Sequence, residues 1–176
     1  MAGGAGSGKG FVSSRLLGIE GNTLDVDALK TLALGSQNLA QKIKDETGQD
    51  IKKFDLKNPD NVAKLHDLMS KVYHITDKNQ QRIFSSALTA PSDRKPNLIF
   101  DVTLKDMGKL ESISRNVQQL GYDKSNIHIV WVVNDIEVAI KQNQNRSRVV
   151  SSEILMSTHE GASMTMRKLI DKDTDL

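Results

Sequence analysis

Apolar residues recur every three or four positions along most of the chain, which is the spacing that places them on one face of an α-helix. This spacing predicts helices over residues 8–17, through the block 36–90 and from Leu104 to Leu120. A polar helix then runs to about Arg148, and a last helix, capped by Ser151 or Ser152, runs to Ile170. Boundaries inside the block come from capping residues and helix stops, namely Ser36, Gly48, Asn58-Pro59-Asp60 and Asp77. The chain is therefore predicted to be mostly helical.

Three short runs have the composition of β-strands. Residues 22–27 form a short candidate strand, and a helix follows that ends at Gly35. Residues 97–101 are apolar and end in an acid, whereas 127–133 are nearly all apolar, as in a strand covered on both faces. Because helices separate these runs, the pattern predicts an α/β protein with a parallel sheet.

Composition and charge exclude several classes of protein. The chain has 24 Lys and Arg against 22 Asp and Glu, which argues against a general nucleic-acid coat and against a polybasic membrane binder. Cysteine is absent, so disulfide scaffolds and thiolate metal sites are excluded; the absence also fits a reducing compartment, and we expect the cytoplasm. No apolar run is long enough for a membrane span. The N-terminus lacks a basic segment followed by an apolar run, so no signal peptide is predicted.

A glycine-rich loop, residues 3–10, fits the phosphate-binding pattern G-x-x-x-x-G-K. Glycines let backbone N–H groups curl round a phosphate, and the helix that follows points its positive end at the same anion. Lys9 would reach the β- and γ-phosphates as a point charge. The alternative interpretation is a flexible glycine-rich terminus with one stray lysine. The residues predicted to bind nucleotide are Gly3, Gly4, Ala5, Gly6, Ser7, Gly8, Lys9, Gly10 and Phe11.

Two features depart from the usual phosphate loop. Gly10 and Phe11 stand where such loops carry Ser or Thr, whose hydroxyl binds Mg²⁺. The apolar strand expected before the loop has no counterpart after Met1, and the acidic tail 171–175 ends without a further strand. We therefore expect a chain truncated at its first strand and at its C-terminus, with unpaired strand edges beside the gap.

Four blocks in order carry a resemblance to a known family: GGAGSGKG, TLDVDALK, NLIFDVT and NQNRSRVVSSEIL. With them the chain resembles the P-loop kinases of the zeta-toxin and polynucleotide-kinase group, and most of all the zeta-toxin-like proteins of tailed phages. The resemblance implies a three-layer P-loop NTPase fold of the kinase type, with a parallel sheet and helices on both faces. It implies a single domain over 1–176, in which 36–90 is a helical insertion that builds the acceptor region and 134–150 is a lid.

The same resemblance implies the role of each site residue. Lys9 binds the donor phosphates, and Asp27 is the base that faces the acceptor hydroxyl. Asp101 holds magnesium or substrate. Thr103 and Asp25 belong to the substrate site. Two lid arginines, Arg146 and Arg148, clamp the transferring phosphoryl group.

Simpler roles stand beside these. Asp25 and Asp27 fall on the same face of a strand, so the spacing does not separate them, and Asp27 also suits a helix N-cap. Asp101 also suits a turn after a strand, and the arginine pair suits a solvated helix end. Arg15 and Lys30 are interpreted as surface charges.

The implied function is transfer of a γ-phosphoryl group from ATP or GTP, with Mg²⁺, to a hydroxyl of a small nucleotide-type acceptor such as a nucleotide sugar. The first alternative is a polynucleotide 5′-hydroxyl kinase, which the balanced charge and seven aromatic residues argue against. The second is a nucleotide-binding module without turnover, which Gly10 favours. An antitoxin-like protein is a candidate partner, and neither a membrane nor a nucleic acid is expected as one.

Overall fold

A computed structural model describes residues 1–171 and gives a mixed, mostly helical α/β protein with one small parallel sheet. The strands are β1 (Asn22–Asp25) and β2 (Leu98–Asp101). The helices are α1 (Lys9–Phe11), α2 (Val26–Gly35), α3 (Gln37–Thr47), α4 (Pro59–Asp67), α5 (Ile75–Thr89), α6 (Met107–Gln119), α7 (Ile136–Asn145) and α8 (Ser152–Ile170). Wider π-helical turns extend α1 over Val12–Leu16 and α4 over Leu68–Val72. Short 3₁₀ turns cover Ile51–Lys53, Ser92–Arg94 and Lys124–Asn126.

Side-chain caps fix where most helices begin, because each supplies an acceptor to a backbone N–H that has no partner inside the helix. Ser36 caps α3, Asn58 caps α4 with Pro59 in its first turn, and Ser151 caps α8, as the sequence predicts. The expected cap of α5 at Asp77 is wrong. This helix begins after His74, whose φ of 50° turns the chain sharply, and Asp77 lies in its first turn.

The two strands run parallel in register, with Asn22 opposite Leu98 and Asp25 opposite Asp101. The parallel pairing predicted from the order of strands and helices is confirmed. Because carboxyl ends of parallel strands share one edge of the sheet, the register places two carboxylates side by side there.

The third predicted strand, 127–133, is wrong as an element of the sheet. Only Trp131 forms a bridge, which is parallel to Ala2. Ala2 lies between this segment and β2, since Ala2 N–H donates to Val130 O (2.7 Å) and the Met1 amino group donates to Phe100 O (2.9 Å). A strand needs a continuous ladder of backbone hydrogen bonds. Within residues 1–171 this segment pairs only with Ala2, so it does not form a strand.

Two separate hydrophobic clusters hold the chain together. The cluster inside the block 36–90 is centred on Ile43, Leu65 and Met69, which are fully buried. The other packs β2 against α6 and α8 through Leu104, Leu110, Ile113, Val117 and Met166. The helical block therefore has a core of its own, beside the core of the sheet. In residues 1–171 no helix is long and apolar enough to cross a membrane. Of the acidic tail 171–175, only Asp171 lies within the described residues.

Candidate functional site

The glycine-rich loop is folded so tightly that three of its glycines, Gly3, Gly4 and Gly6, leave no room for a side chain. A Cβ on Gly4 would lie 2.1 Å from the His159 ring, and one on Gly6, whose φ is 74°, would lie 2.5 Å from Ala139 O. Such distances are far below contact, so glycine is required at these positions. The loop is therefore a fixed structure and not a loose terminus.

Residues distant in sequence hold the loop in place. The hydroxyl of Thr158 on α8 accepts from Ala5 N–H (3.1 Å), and the neighbouring His159 places its Nε2 2.7 Å from Ala5 O. The Asn134 amide donates to Gly6 O (3.4 Å) on the other side. Sequence reasoning missed these residues, because nothing local links α8 to a loop that precedes it by some 150 positions.

Lys9 folds back over the loop. Its ammonium donates to Gly3 O (2.9 Å) and Gly4 O (3.1 Å). Burial lowers the pKa of Lys9, and the nearby Asp101 carboxylate opposes that shift. A desolvated cation held among carbonyl oxygens is prepared to bind an anion that arrives at the loop.

The loop opens into a cleft of about 1050 Å³. Most of the residues predicted from the sequence line this cleft: Ala5, Gly6, Ser7, Gly8, Lys9, Gly10, Asp25, Asp27, Asp101, Thr103 and Arg146. Arg148 joins them through its contact with Asp27. Gly3 and Gly4 do not line the cleft, and Gly3 N–H donates to Thr103 O (3.2 Å). Phe11 is 63% exposed and does not line the cleft.

The structure gives Asp25 and Asp27 different surroundings. The Asp25 carboxylate caps α2 by accepting from Asp27 N–H (2.7 Å). Asp27 is not the cap, and its carboxylate meets three cations. It is bound by Arg148, lies 3.2 Å from Lys30 Nζ and is 3.9 Å from Arg146. Burial alone would raise the pKa of Asp27, but Arg148 and Lys30 outweigh it and hold that pKa below its usual range.

Asp101 has the opposite electrostatic environment. Burial raises the pKa of Asp101, and the charge on Lys9 opposes the rise only in part. A positive ion at this point would therefore stabilise the carboxylate. Asp101 stands beside the loop at the end of β2, opposite Asp25 in the ladder. It is suited to be one ligand of a cation whose other ligands come from a bound molecule.

The described residues do not form a complete metal site by themselves. No group of three or more His, Asp or Glu side chains in 1–171 is arranged to hold a metal ion. The Ser7 hydroxyl is buried and has no hydrogen-bond partner within 1–171. One carboxylate with phosphate oxygens and water is nevertheless a normal Mg²⁺ environment, and Asp101 fits that requirement.

The arginine-bearing loop follows α7, which ends at Asn145, earlier than the predicted helix. The buried Asn143 amide closes the loop by donating to Val150 O (2.8 Å) and accepting from Val150 N–H (3.1 Å). From the helical block, Lys57 donates to Gln144 O (3.0 Å) and to the carbonyl of Arg146. These contacts hold the loop from which Arg146 and Arg148 reach the Asp27 carboxylate.

Lys30 and His66 are among the cleft residues that were misread or missed from the sequence. Lys30, interpreted as a surface charge, is wrong: its side chain is only 9% exposed and is paired with Asp27. The i, i+3 spacing of Lys30 from Asp27 already allowed that pair on α2. His66 is the one residue of the block 36–90, all of which is described, that lines the cleft. Burial and the Lys30 charge lower the pKa of His66.

Alanine substitutions in the loop should separate a tight position, Gly4, from an open one, Gly10. Gly4→Ala is expected to destabilise the fold by about 1–3 kcal/mol, because the new Cβ overlaps the His159 ring. Gly10→Ala should not lower stability, since nothing lies within 4 Å of its Cβ and alanine suits a helix better than glycine. Thermal unfolding measures both. Adding His159→Ala should restore part of the loss in Gly4→Ala, and wild-type melting of Gly4→Ala would contradict the loop structure.

Comparison of the chain with models of known protein families, with curated proteins and with solved structures finds no match. The resemblance to the zeta-toxin and polynucleotide-kinase group therefore stays a prediction from the sequence. The support for a function comes from the cleft itself.

Proposed function

We propose that the protein is a P-loop kinase that transfers the γ-phosphoryl group of ATP or GTP to a hydroxyl of a small, phosphate-bearing acceptor of the nucleotide type. We further propose the three-layer kinase fold that the sequence resemblance implies. One observation carries the proposal: a glycine-rich loop with its lysine, a carboxylate at a strand end and an arginine-paired carboxylate all face one cleft. Phosphoryl transfer asks a protein for this kind of positioning and charge stabilisation.

The loop and Lys9 would hold the donor. Backbone N–H groups of residues 5–10 would bind the β-phosphate, apart from those of Ala5 and Ser7, which already donate to Thr158 and to Gly4 O. Lys9 would exchange its two carbonyl partners for phosphate oxygens. The contacts from Thr158 and Asn134 keep the loop in shape before a ligand arrives. Binding therefore costs little reorganisation of the backbone.

Asp27 would accept the proton of the acceptor hydroxyl. In the ligand-free cleft its carboxylate is occupied by Arg148 and Lys30. Arg148 is also the arginine proposed to bind the transferring group, so moving its guanidinium to the phosphoryl oxygens would release one carboxylate oxygen. The acceptor hydroxyl would then bind where the arginine had been, at hydrogen-bond distance from its base.

Asp101 would hold Mg²⁺ together with the phosphates of the donor. The ion supplies neutralisation of the charge that develops on the phosphates. The raised pKa of Asp101 in the ligand-free cleft supports this assignment, because a nearby cation would offset the cost of its burial.

The lining of the cleft favours a small anionic acceptor. Lys30, Lys105 and Lys109 line it beyond the loop, and they suit a phosphate on the acceptor. No Phe, Tyr or Trp within 1–171 lines the cleft, which argues against the polynucleotide alternative, because single strands are held by stacking on such rings. A cytoplasmic location and an antitoxin-like partner remain predictions from the sequence.

The decisive assay incubates the protein with γ-labelled ATP, or GTP, and Mg²⁺ in the presence of pooled acceptors. The pools are nucleotide sugars, nucleosides and nucleotides, and 5′-hydroxyl oligonucleotides. We expect label on a nucleotide-type acceptor, and none with Lys9→Ala or without Mg²⁺, because both remove charge at the donor phosphates. Label on oligonucleotides alone would select the polynucleotide alternative, and no nucleotide binding would overturn the proposal.

Gly10→Ser separates a kinase from a binding module. The Cβ at this position meets nothing within 4 Å, so the substitution is accommodated, and it adds the hydroxyl that such loops use on magnesium. ATP binding without turnover in the wild type, but with turnover in Gly10→Ser, would identify the natural protein as a binding module.

A further inference from the structure

One side chain of the helical block 36–90 lies in the wall of the cleft. It is His66, in the last turn of α4, and no other residue of the block, all of which is described, lines this wall. The rest of the wall comes from the glycine-rich loop, the strand ends, α2, α6 and the helices on either side of the arginine-bearing loop. Any direct contact of the block with a bound molecule therefore involves this imidazole.

The core of the block anchors His66. Its neighbour Leu65 and, one turn further on, Met69 are fully buried among the apolar side chains of that core. Just after His66 the helix widens into the π-helical turn Leu68–Val72. Such turns are frequent at functional sites, because they shift the side chains of a helix relative to its regular spacing. The local structure therefore holds the imidazole at the cleft.

The imidazole of His66 has hydrogen-bonding capacity to spare. Within residues 1–171 neither of its ring nitrogens has a hydrogen-bond partner, whereas the rings of His74 and His159 are bonded to Asp77 and to Ala5 O. A neutral imidazole carries one donor and one acceptor. Both are available to a molecule that enters the cleft.

The charges around His66 indicate what kind of group it binds. Burial and the Lys30 charge lower the pKa of His66, while Asp67 and Asp27 oppose the shift only in part. The ring is therefore uncharged at neutral pH, since the unperturbed value is about 6.5. An uncharged ring suits an uncharged oxygen, and Lys30 beside it already supplies the positive charge that a phosphate needs. Because the Asp27 charge also acts on this ring, the group it binds lies near the hydroxyl whose proton Asp27 would accept.

We propose that His66 is an acceptor-specificity residue, whose neutral ring binds a second hydroxyl of the acceptor close to the hydroxyl that receives the phosphoryl group. This proposal rests on the proposed kinase function and adds a requirement to it. The acceptor must carry two neighbouring hydroxyls, as a sugar ring does. A molecule with a lone hydroxyl would leave the imidazole unpaired and would bind more weakly.

The first test measures binding and needs no turnover. Protein with isotope-labelled histidine rings is titrated with Mg²⁺-ADP, and then with UDP-glucose, GDP-mannose and ADP-glucose in turn. The ring signals of His66 are identified by their loss in His66→Leu. We expect at least one of these nucleotide sugars to shift those signals, and Mg²⁺-ADP alone to leave them in place. No shift with any of the three sugars, or the full shift with Mg²⁺-ADP alone, would overturn the proposal.

The second test is kinetic and uses the same three nucleotide sugars with γ-labelled ATP. His66→Leu should raise the KM for the accepted sugar by roughly tenfold, as expected for one lost hydrogen bond. Both kcat and the KM for ATP should change by less than about threefold, because a contact made equally in the ground and transition states alters KM alone. His66→Gln keeps a donor and an acceptor and should recover most of the loss. Ala63→Leu places the same new residue on the exposed side of α4, outside the cleft, and should behave as the wild type.

Monodeoxy analogues of the accepted sugar identify the hydroxyl. The wild type should bind one of these analogues roughly tenfold more weakly than the parent sugar, and His66→Leu should bind the two equally well. Label transfer by the wild type with an unchanged KM in His66→Leu would overturn this proposal and leave the kinase function standing, and a lowered melting temperature in that variant would then assign His66 a structural role. Absence of label on every acceptor would count against the kinase function itself, and the ring signals would still decide whether His66 binds a nucleotide sugar.

Discussion

Replacing Arg148 with methionine is expected to slow phosphoryl transfer by roughly 10³-fold or more, because an arginine that neutralises a transferring phosphoryl group contributes on that scale. Its side chain is only 11% exposed and is bound to Asp27, so the methionine fills similar space without the charge. Single-turnover rates with saturating ATP and acceptor measure the effect on the chemical step directly.

The same variant also has a signature in its pH profile. Arg148 is the leading attraction that holds the pKa of Asp27 low, so its loss raises that pKa. The acidic limb of the rate profile should therefore move to higher pH in Arg148→Met, whereas Arg148→Lys should keep the limb and lose rate. An unchanged rate in Arg148→Met would remove this residue from the mechanism.

Asp27→Asn is expected to lower the rate by roughly 10²–10⁴-fold, which is the usual contribution of a general base. The amide keeps the shape of the side chain but cannot take a proton. Nucleotide affinity should change little, because the loop and Lys9 make the donor contacts. The variant separates loss of chemistry from loss of binding when both rate and affinity are measured.

Asp25→Asn is the matched control for this variant. Asn caps helices about as well as Asp, so α2 should keep its start and the rate should fall less than tenfold. Equal losses in Asp25→Asn and Asp27→Asn would contradict the assignment of the base to Asp27.

Stability should follow the same ion pairs. The folded-state pKa of Asp27 is depressed, so its stabilising contribution is present above the unfolded-state value of about 4 and is lost as the pH falls through the folded-state value. The wild type should therefore melt above Asp27→Asn at neutral pH, and the difference should shrink in acid below about pH 4.

Local signals were sufficient to predict most of the helices. Ser36, Asn58 and Ser151 each cap a helix where the sequence placed one, because capping depends on residues within one turn. Short strands followed from apolar composition, but 127–133 did not become one. Whether this segment forms a strand depends on backbone pairing with residues distant in sequence, and within residues 1–171 it pairs only with Ala2.

The site was predictable to a similar extent. Glycines, Lys9 and the strand-end acids follow from short motifs, and the structure brings them to one cleft. The burial of Lys30 depends on packing around α2, and the loop contacts of Thr158 come from the far end of the chain. Such long-range contacts cannot be derived from spacing along the sequence.

The contact of Lys57 with the arginine-bearing loop has a consequence for control of the cleft. Lys57 and Leu56 belong to a block with its own hydrophobic core, and Leu56 O accepts from Val149 N–H (2.9 Å). A molecule bound to the outer surface of that block could displace residues 56–57 and withdraw both arginines without entering the cleft. Inhibitors selected against this remote surface would be non-competitive with nucleotide and with acceptor alike.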